Sequence, residues 1–493
     1  MTSRSIVLIL SCVLACVDAV FGSAFAVNEL GARAQGMGGA FASVADDASA
    51  IFFNPAGIAF LKGTNFQLDN LVVAGQFRFI PSEAPVGTVV PPKGFSGAIS
   101  QPFIPIASLY MTHQLNDRWT LGFGAYTPFG LAANFTNFND GDPPNTKYVG
   151  RFAGTRAKLE AYWFQPTLAV KLSANQSLAL GVAYVHTHLF LEQSFLNPLE
   201  EPDDFGRRLA KDVFPGVDPN AAFRSFSRLL PEGRLRAAAV GNAPGFSAGY
   251  LYKHPGSGWN LGLMVRSAVV HHLKGKAAFS FTQGGALTPF LPKDKTLEKL
   301  FPNQAIKGTF TTPATYVVGV SNNRFFGSTI SVDLRIQDFR RFKDLPLNFE
   351  KTVDEKGNEL ATSAEERLEF DFRNSYLLHV GIEKQTPDGW GPRMMRGLSR
   401  DTSVRGGYVF DYSPVVEKSV GPLFPDATRH SWTAGMTKRK GKVELTLFYQ
   451  FMQFLNRTTN VPANRNVFTN GEYRNFAHLA GAGMRFRLGK QDQ

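Results

Sequence analysis

Cysteine is nearly absent. The only two, Cys12 and Cys16, fall in the apolar N-terminal segment, so a chain that loses this segment carries no thiol and no disulfide. Charged residues are also sparse, at 19% against the roughly 25% usual in soluble domains. Beyond residue 22 there is no run of about 18 apolar residues, which excludes ordinary transmembrane helices. A basic stripe with interleaved aromatics is missing too, and nucleic acid is excluded as a partner. The net charge of +12 is spread along the chain. What is abundant is phenylalanine, with 44 copies among 493 residues. Mean hydropathy is only −0.12, so this apolar matter is dispersed among polar residues. If such a chain spans a membrane it does so as a closed barrel, because lipid cannot satisfy an open sheet edge.

The N-terminus indicates the compartment. Arg4 precedes the apolar run Ile6 to Val17, and small residues follow at Ala19, Gly22, Ala24 and Ala26. This order of charge, short apolar core and small residues describes a secretory signal peptide over residues 1–22. Cleavage after Gly22 and cleavage after Ala26 both fit. A lipoprotein signal at Cys16 is disfavoured by the bulky Leu14.

Three zones follow. Residues 23–63 are rich in glycine and alanine and lack the bulk for a core of their own, which predicts a segment packed inside something else. Residues 64–488 repeat stretches of alternating polarity broken by Gly, Pro, Asn and Asp. Residues 489–493 form a polar tail. In the second zone Leu178, Leu180, Val182 and Tyr184 alternate with small residues. Leu261, Leu263 and Val265 alternate with Gly262, Met264 and Arg266, and Ile330, Val332, Leu334 and Ile336 alternate with Ser331, Asp333 and Arg335. Val443, Leu445, Leu447, Tyr449 and Phe451 interleave with polar residues. Successive strand residues face opposite sides, so each stretch has one apolar face. About fourteen such stretches are present, each long enough to cross a bilayer as a tilted strand. Periodicity alone also allows a secreted β-sandwich, since it does not say whether the apolar face meets lipid or a core. The fold class is all-β: an antiparallel transmembrane β-barrel with an N-terminal plug.

Two insertions, near 196–244 and 284–304, carry helical patterns. In the first, Asp218 and Pro219 form a helix start, and Phe223, Phe226 and Leu230 share a face. The second places Leu297, Leu300 and Phe301 together. Long loops of bacterial barrels lie outside the cell. These residues are therefore expected either to form an apolar landing surface or to fasten the loops.

Catalytic and metal motifs are weak. Gly245-Phe246-Ser247-Ala248-Gly249 fits G-x-S-x-G, but that chemistry needs a strand, a sharp turn and a helix. Tyr250-Leu251-Tyr252 instead reads as continuing strand. His186 with His188, and His271 with His272, lack further ligands at metal-binding spacing. Glycines 36, 38 and 39 miss the dinucleotide pattern because Phe41 stands at its third glycine. No cofactor, metal or enzymatic activity is expected.

The segment Phe25-Ala26-Val27-Asn28-Glu29, with Ala45-Asp46-Asp47-Ala48 and Asn54-Pro55-Ala56-Gly57, resembles the hatch of the FadL family of outer-membrane hydrophobic-compound transporters. Thr127-Pro128-Phe129-Gly130-Leu131 resembles that family's kinked third strand. Arg405-Gly406-Gly407-Tyr408, Asp411-Tyr412-Ser413-Pro414, Pro425-Asp426 and Arg429 resemble a late-strand signature of the same family. The resemblance implies a monomeric, 14-stranded barrel whose lumen is plugged by the N-terminal hatch. Its ligand would be a hydrophobic small molecule: a long-chain fatty acid first, an aromatic hydrocarbon as the alternative. Capture on an outer groove (Phe223, Phe226, Leu230), a lumenal pocket with Phe25, Phe129 and the basic Arg373, and a gate of Asn54, Pro55, Ala56, Pro128 and Gly130 complete what it implies. Outer-membrane lipid, lipopolysaccharide and the insertion machinery are the expected partners. The chain departs from such barrels in following Phe486 and Leu488 with a non-aromatic tail. Outside the family, a secreted β-sandwich binding protein and a hydrolase using Ser247 are the competing readings.

Overall fold

A computed structural model describes residues 24–82, 97–98, 104–134, 149–195, 233–281, 297–350, 366–389, 396, 399–421, 423–459 and 469–488. Among them, twenty ladder segments form one antiparallel sheet. Five of these are second halves of interrupted strands and one, Gly97–Ala98, is a short ladder on a loop, which leaves fourteen wall strands. They are β1 (Thr64–Pro81), β2 (Ile104–Gln114), β3 (Trp119–Asn134), β4 (Arg156–Ser173), β5 (Gln176–Phe195), β6 (Gly233–Lys253) and β7 (Trp259–Arg266, resuming Val269–Phe281). There follow β8 (Gln304–Thr312, resuming Thr315–Phe325), β9 (Ser328–Gln337, resuming Asp344–Phe349) and β10 (Glu366–Glu369, resuming Ser375–Thr386). The ring ends with β11 (Thr402–Tyr412), β12 (Arg429–Lys440), β13 (Val443–Phe454, with Arg457–Thr459) and β14 (Gly471–Leu488). Strand β14 pairs with β1 from Thr64 opposite Leu488 to Pro81 opposite Gly471, and the sheet closes on itself.

Side-chain exposure decides between barrel and sandwich. On β5, Leu178, Leu180, Val182 and Tyr184 are 43–57% exposed, while Ser177, Ala179, Ala183 and Val185 between them are buried. On β13, Leu445, Leu447 and Tyr449 are exposed and Glu444, Thr446 and Gln450 are buried. The apolar rows look out and the polar rows look in. A sandwich core demands the reverse; a lipid-facing wall demands this.

Five of the six connections at one end of the ring are short turns, the link from Thr386 to Thr402 being the exception, while the other end carries the long connections and is the extracellular one. One sequence expectation needs correction here. Residues 233–244, assigned to the first insertion, are wall strand, so that insertion ends before Gly233; its candidate residues Phe223, Phe226 and Leu230 lie outside the described residues. In the second insertion a short helix, Leu297–Leu300, does form. There Leu297 and Phe301 are buried, and Phe301 packs 5.1 Å from Phe195 and 5.5 Å from Phe281, ring centre to ring centre. Leu297 and Phe301 thus fasten the connection to the rim. The tail 489–493 also lies outside the described residues.

Residues 24–63 run inside the ring and are buried almost throughout. The segment holds α1 (Ala32–Gly36), α2 (Ala50–Phe53) and a 3-10 turn (Pro55–Phe60). Its core-poor composition is compatible with burial because the wall supplies both the apolar and the polar partners. Asp333 on β9 accepts the backbone N–H groups of Phe41 and Ala42 at 2.8 Å each. Arg266 on β7 donates to the Phe52 carbonyl at 2.6 Å and lies 4.3 Å from the centre of the Phe52 ring. Arg33 pairs with Asp46 and with Glu383 on β10. Glycine on the wall permits the close approach. A Cβ at Gly262 would stand 2.1 Å from the Ala42 carbonyl oxygen, and one at Gly249 would stand 2.2 Å from Asn54 Oδ1.

Candidate lateral gate and lumenal pocket

Strands β2 and β3 are joined only over their lower part. The ladder runs from Gln114 opposite Thr120 to Leu109 opposite Ala125 and ends there. Above this point β2 continues along β1, with Ile104 opposite Val73, and β3 continues along β4 to Asn134 opposite Arg156. A seam therefore opens in the wall beside Tyr126–Asn134. Its cause is local. Pro128 has no N–H to give to a ladder, and the β3–β4 register slips between Tyr126 and Phe129. From Tyr126 to Ala133 every β3 residue is buried, so the strand loses its outward row and turns into the ring.

The seam is filled from inside. Val27 donates its N–H to the Pro128 carbonyl at 2.8 Å, and Gly130 donates to the Phe25 carbonyl at 2.7 Å, with Ala26 bridged to Phe129. Three residues of the plug thus act as the missing strand. The orphaned backbone groups of a wall defect find partners without contact with lipid.

Phe25 anchors this fragment among other rings. Its centre lies 4.8 Å from Phe342, 5.2 Å from Phe339, 6.1 Å from Phe129 and 6.1 Å from Phe424. Phe370 and Phe372 form the next layer, 4.9 and 5.4 Å from Phe424. These rings reach the lumen because β9 and β10 break at one height: Phe339 and Phe342 come from the interruption of β9, Phe370 and Phe372 from that of β10. Between them, Leu131, Leu159 and Phe310 line an apolar cavity of about 30 Å³; among the described residues the one charged residue bordering it is Lys158, whose ammonium is turned to Glu160. A cavity that admits benzene is roughly 150 Å³. The pocket is therefore closed by its own side chains, and a ligand enters only if rings move. A far larger concavity, about 1220 Å³, lies on the outer face and is lined by Leu121, Phe123, Leu180, Val182, Leu263 and Val318. That one belongs to the lipid-facing surface.

Charge is concentrated just above Phe25. The Ala24 N–H donates to Asp426 Oδ2 at 3.1 Å, and Ser413 Oγ donates to the same oxygen at 2.7 Å. Arg429 lies 3.5 Å from Asp426 and pairs with Asp411. Burial pushes the Asp426 carboxyl above its ordinary value, with Arg429 opposing the rise. Glu29 in the plug is raised for the same reason, again against the pull of Arg429.

The structure brings together Phe25, Phe129, Pro128 and Gly130. It places Asn54, Pro55 and Ala56 elsewhere, against the lower part of β5 and β6. There Asn54 Nδ2 donates to the carbonyls of Ala42 (2.7 Å) and Tyr250 (3.0 Å), its Oδ1 accepts from Ala56 N, and Ser177 donates to the Ala56 carbonyl. Arg373 is not on the cavity lining: its Nε donates to the Ser413 carbonyl at 3.1 Å and its guanidinium lies 4.0 Å from the Tyr412 ring centre. Sequence reasoning missed Lys158, which is 3.2 Å from Glu160 and reads in the chain as one more charge on an alternating strand. Nothing local marks Arg266 or Asp333 as plug clamps either. Ser247 sits buried in mid-strand on β6, without the turn and helix a nucleophile requires. His186 and His188 face outward beside Tyr162, and among the described residues no three metal-ligand side chains cluster.

Residues 13–488 match the model of the outer membrane protein transport family (OMPP1/FadL/TodX). The chain belongs to this family. It is an outer-membrane β-barrel of Gram-negative bacteria, in a family that transports hydrophobic compounds. The fold is shared with a FadL homologue of Pseudomonas aeruginosa (TM-score 0.72, 18% identity, covering 94% of this chain and 100% of that one). It is likewise shared with the toluene transporter TodX of Pseudomonas putida (0.64, 17%, 94% and 99%) and with TbuX of Ralstonia pickettii (0.62, 14%, 95% and 100%). NMB0088 of Neisseria meningitidis serogroup B, named as an outer membrane protein, is 31% identical over 117 residues. That match spans 24% of this chain and 25% of the relative.

Proposed function

We propose that the protein passes long-chain fatty acids inward across the outer membrane without energy input. The ligand is caught at the extracellular end, enters the phenylalanine pocket, and leaves sideways through the β2–β3 seam once residues 25–27 withdraw. The observation that carries this reading is the seam itself, an incomplete wall closed by three plug residues that are held by only two backbone hydrogen bonds. Phe25 belongs to both pocket and stopper, so a ligand that displaces its ring also loosens the seal. A carboxylate entering an apolar site needs a cation, because a buried unpaired charge is costly. Lys158, the one charged residue bordering the cavity, is the candidate cation; its ammonium is half-exposed and paired with Glu160, so it meets the carboxylate only after that pair opens.

Aromatic hydrocarbons are the second reading. It is favoured by the carbon-only character of the rest of the lining and by the small size of the closed pocket, which a single ring would enlarge least. Uptake of labelled oleate and of toluene by cells lacking their own transporter separates the two. Oleate uptake that falls on Lys158→Gln supports the fatty-acid reading. Toluene uptake alone, or oleate uptake indifferent to Lys158, sinks it.

A further inference from the structure

The outward rows of β6, β7 and β8 end alike at the extracellular rim. On β7 the row runs Leu261, Leu263, Val265 and Val270, and then His272, Lys274 and Lys276. On β6 Val240 and Ala238 give way to Arg236 and Arg234, and on β8 Thr309 gives way to Lys307. At about 3.3 Å per residue and a tilt near 40°, Leu261 to Val270 spans roughly 23 Å, close to the height of the apolar band of a bacterial barrel. Lys274, Lys276 and Lys307 therefore stand where the hydrocarbon ends and the headgroups begin.

Register puts Lys274 directly opposite Lys307, and Lys276 opposite Ala305 on one side and Ala238 on the other. Like charges at directly opposed positions, with Cβ atoms about 4.5–5.5 Å apart, repel. Among the described residues none of the three lysines makes a hydrogen bond or ion pair. Arg236 is already engaged by Glu192 at 2.6 Å. Glu350, on the neighbouring strand, lies opposite Ala305 and forms an ion pair with none of them. On β14, by contrast, Arg474 holds Glu472 at 2.7 Å. On β6–β8 positive charge is in excess, and it faces lipid.

We propose that Lys274, Lys276 and Lys307 form a docking site on the outer wall for the phosphates of an anionic outer-leaflet lipid. A phosphate set between Lys274 and Lys307 turns a repulsive pair into two charge-assisted contacts. The outward direction of the side chains excludes a ligand travelling through the lumen. Acyl chains of the same lipid would lie along the apolar rows directly below.

The test uses the mature protein in phosphatidylethanolamine vesicles, with and without bisphosphorylated lipid A. Heat-induced unfolding is read by gel mobility and lipid retention by native mass spectrometry. Bisphosphorylated lipid A is expected to raise the unfolding temperature and to co-purify. The variant K274Q/K276Q/K307Q should lose about tenfold or more in lipid A affinity, while K384Q/K440Q/K442Q at the short-turn rim keeps it. Lys307→Gln alone should lose part of it, and serves if the triple variant migrates as unfolded. Undiminished binding by these variants overturns the proposal. So does equal binding of dephosphorylated lipid A, or displacement of lipid A by equimolar inorganic phosphate or oleate.

Discussion

Val27 and Pro128 are joined by one backbone hydrogen bond of 2.8 Å, and that bond closes a hole in the barrel wall. The proline that prevents β3 from completing its ladder still offers a carbonyl, and the plug uses it. Gate and defect are thus two sides of the same residue.

Truncating Phe25 tests the stopper. Phe25→Ala removes a fully buried ring that touches four others. It should cost about 3–5 kcal/mol if the site does not collapse, seen as a lower unfolding temperature on gels. The vacated space should also raise the affinity for small aromatics measured by calorimetry. Unchanged affinity would mean that the Phe25 ring does not occupy ligand space.

Asn54 tests the lower anchor. Asn54→Ala deletes two donated bonds and the cap on Ala56 N, leaving the carbonyl of Ala42 without that partner. A loss of about 1–3 kcal/mol is expected. Hydrogen exchange should quicken in residues 50–60 and stay unchanged in the wall strands. Uniform quickening throughout the barrel would refute a local role.

Acidification tests Asp426. Its folded carboxyl holds a proton to higher pH than an unfolded aspartate does, so the folded state binds more protons between the two values. Stability from this group is therefore highest at low pH, falls as pH rises from about 4, and is flat once both states are ionised. Asp426→Asn should flatten that slope while keeping an acceptor for Ala24 N–H. Glu29 is shifted in the same direction and contributes to the slope that remains. Unfolding temperatures from about pH 4 to about pH 7 check both signs.

Processing can be read by mass. Cleavage after Ala26 would remove Phe25 and with it the carbonyl that binds Gly130 N–H. Cleavage after Gly22 retains both. The intact mass of the purified protein should fit a chain beginning at Ser23; a chain beginning at Val27 would contradict the stopper.

Much was legible in the chain itself. Alternation set the strands because side-chain direction has period two whatever surrounds it, and Pro128 announced a broken ladder because its missing N–H is a covalent fact. The absence of a core in residues 23–63 pointed to a plug. Periodicity could not say which face meets lipid, since the same Leu178 to Tyr184 row would serve a sandwich; only ring closure, β14 against β1, turned it outward. Nor did sequence place the pocket. Phe25 is 317 residues from Phe342, and Phe342 is 82 from Phe424; the plug, the break in β9 and the β11–β12 connection bring them together. Arg373 carried the right charge in the right neighbourhood, yet a neighbouring carbonyl and the Tyr412 ring take it, while Lys158, one charge among many on an alternating strand, borders the cavity but gives its ammonium to Glu160. Local pattern determines which face a residue occupies; what waits on that face depends on which strands the closed ring makes neighbours.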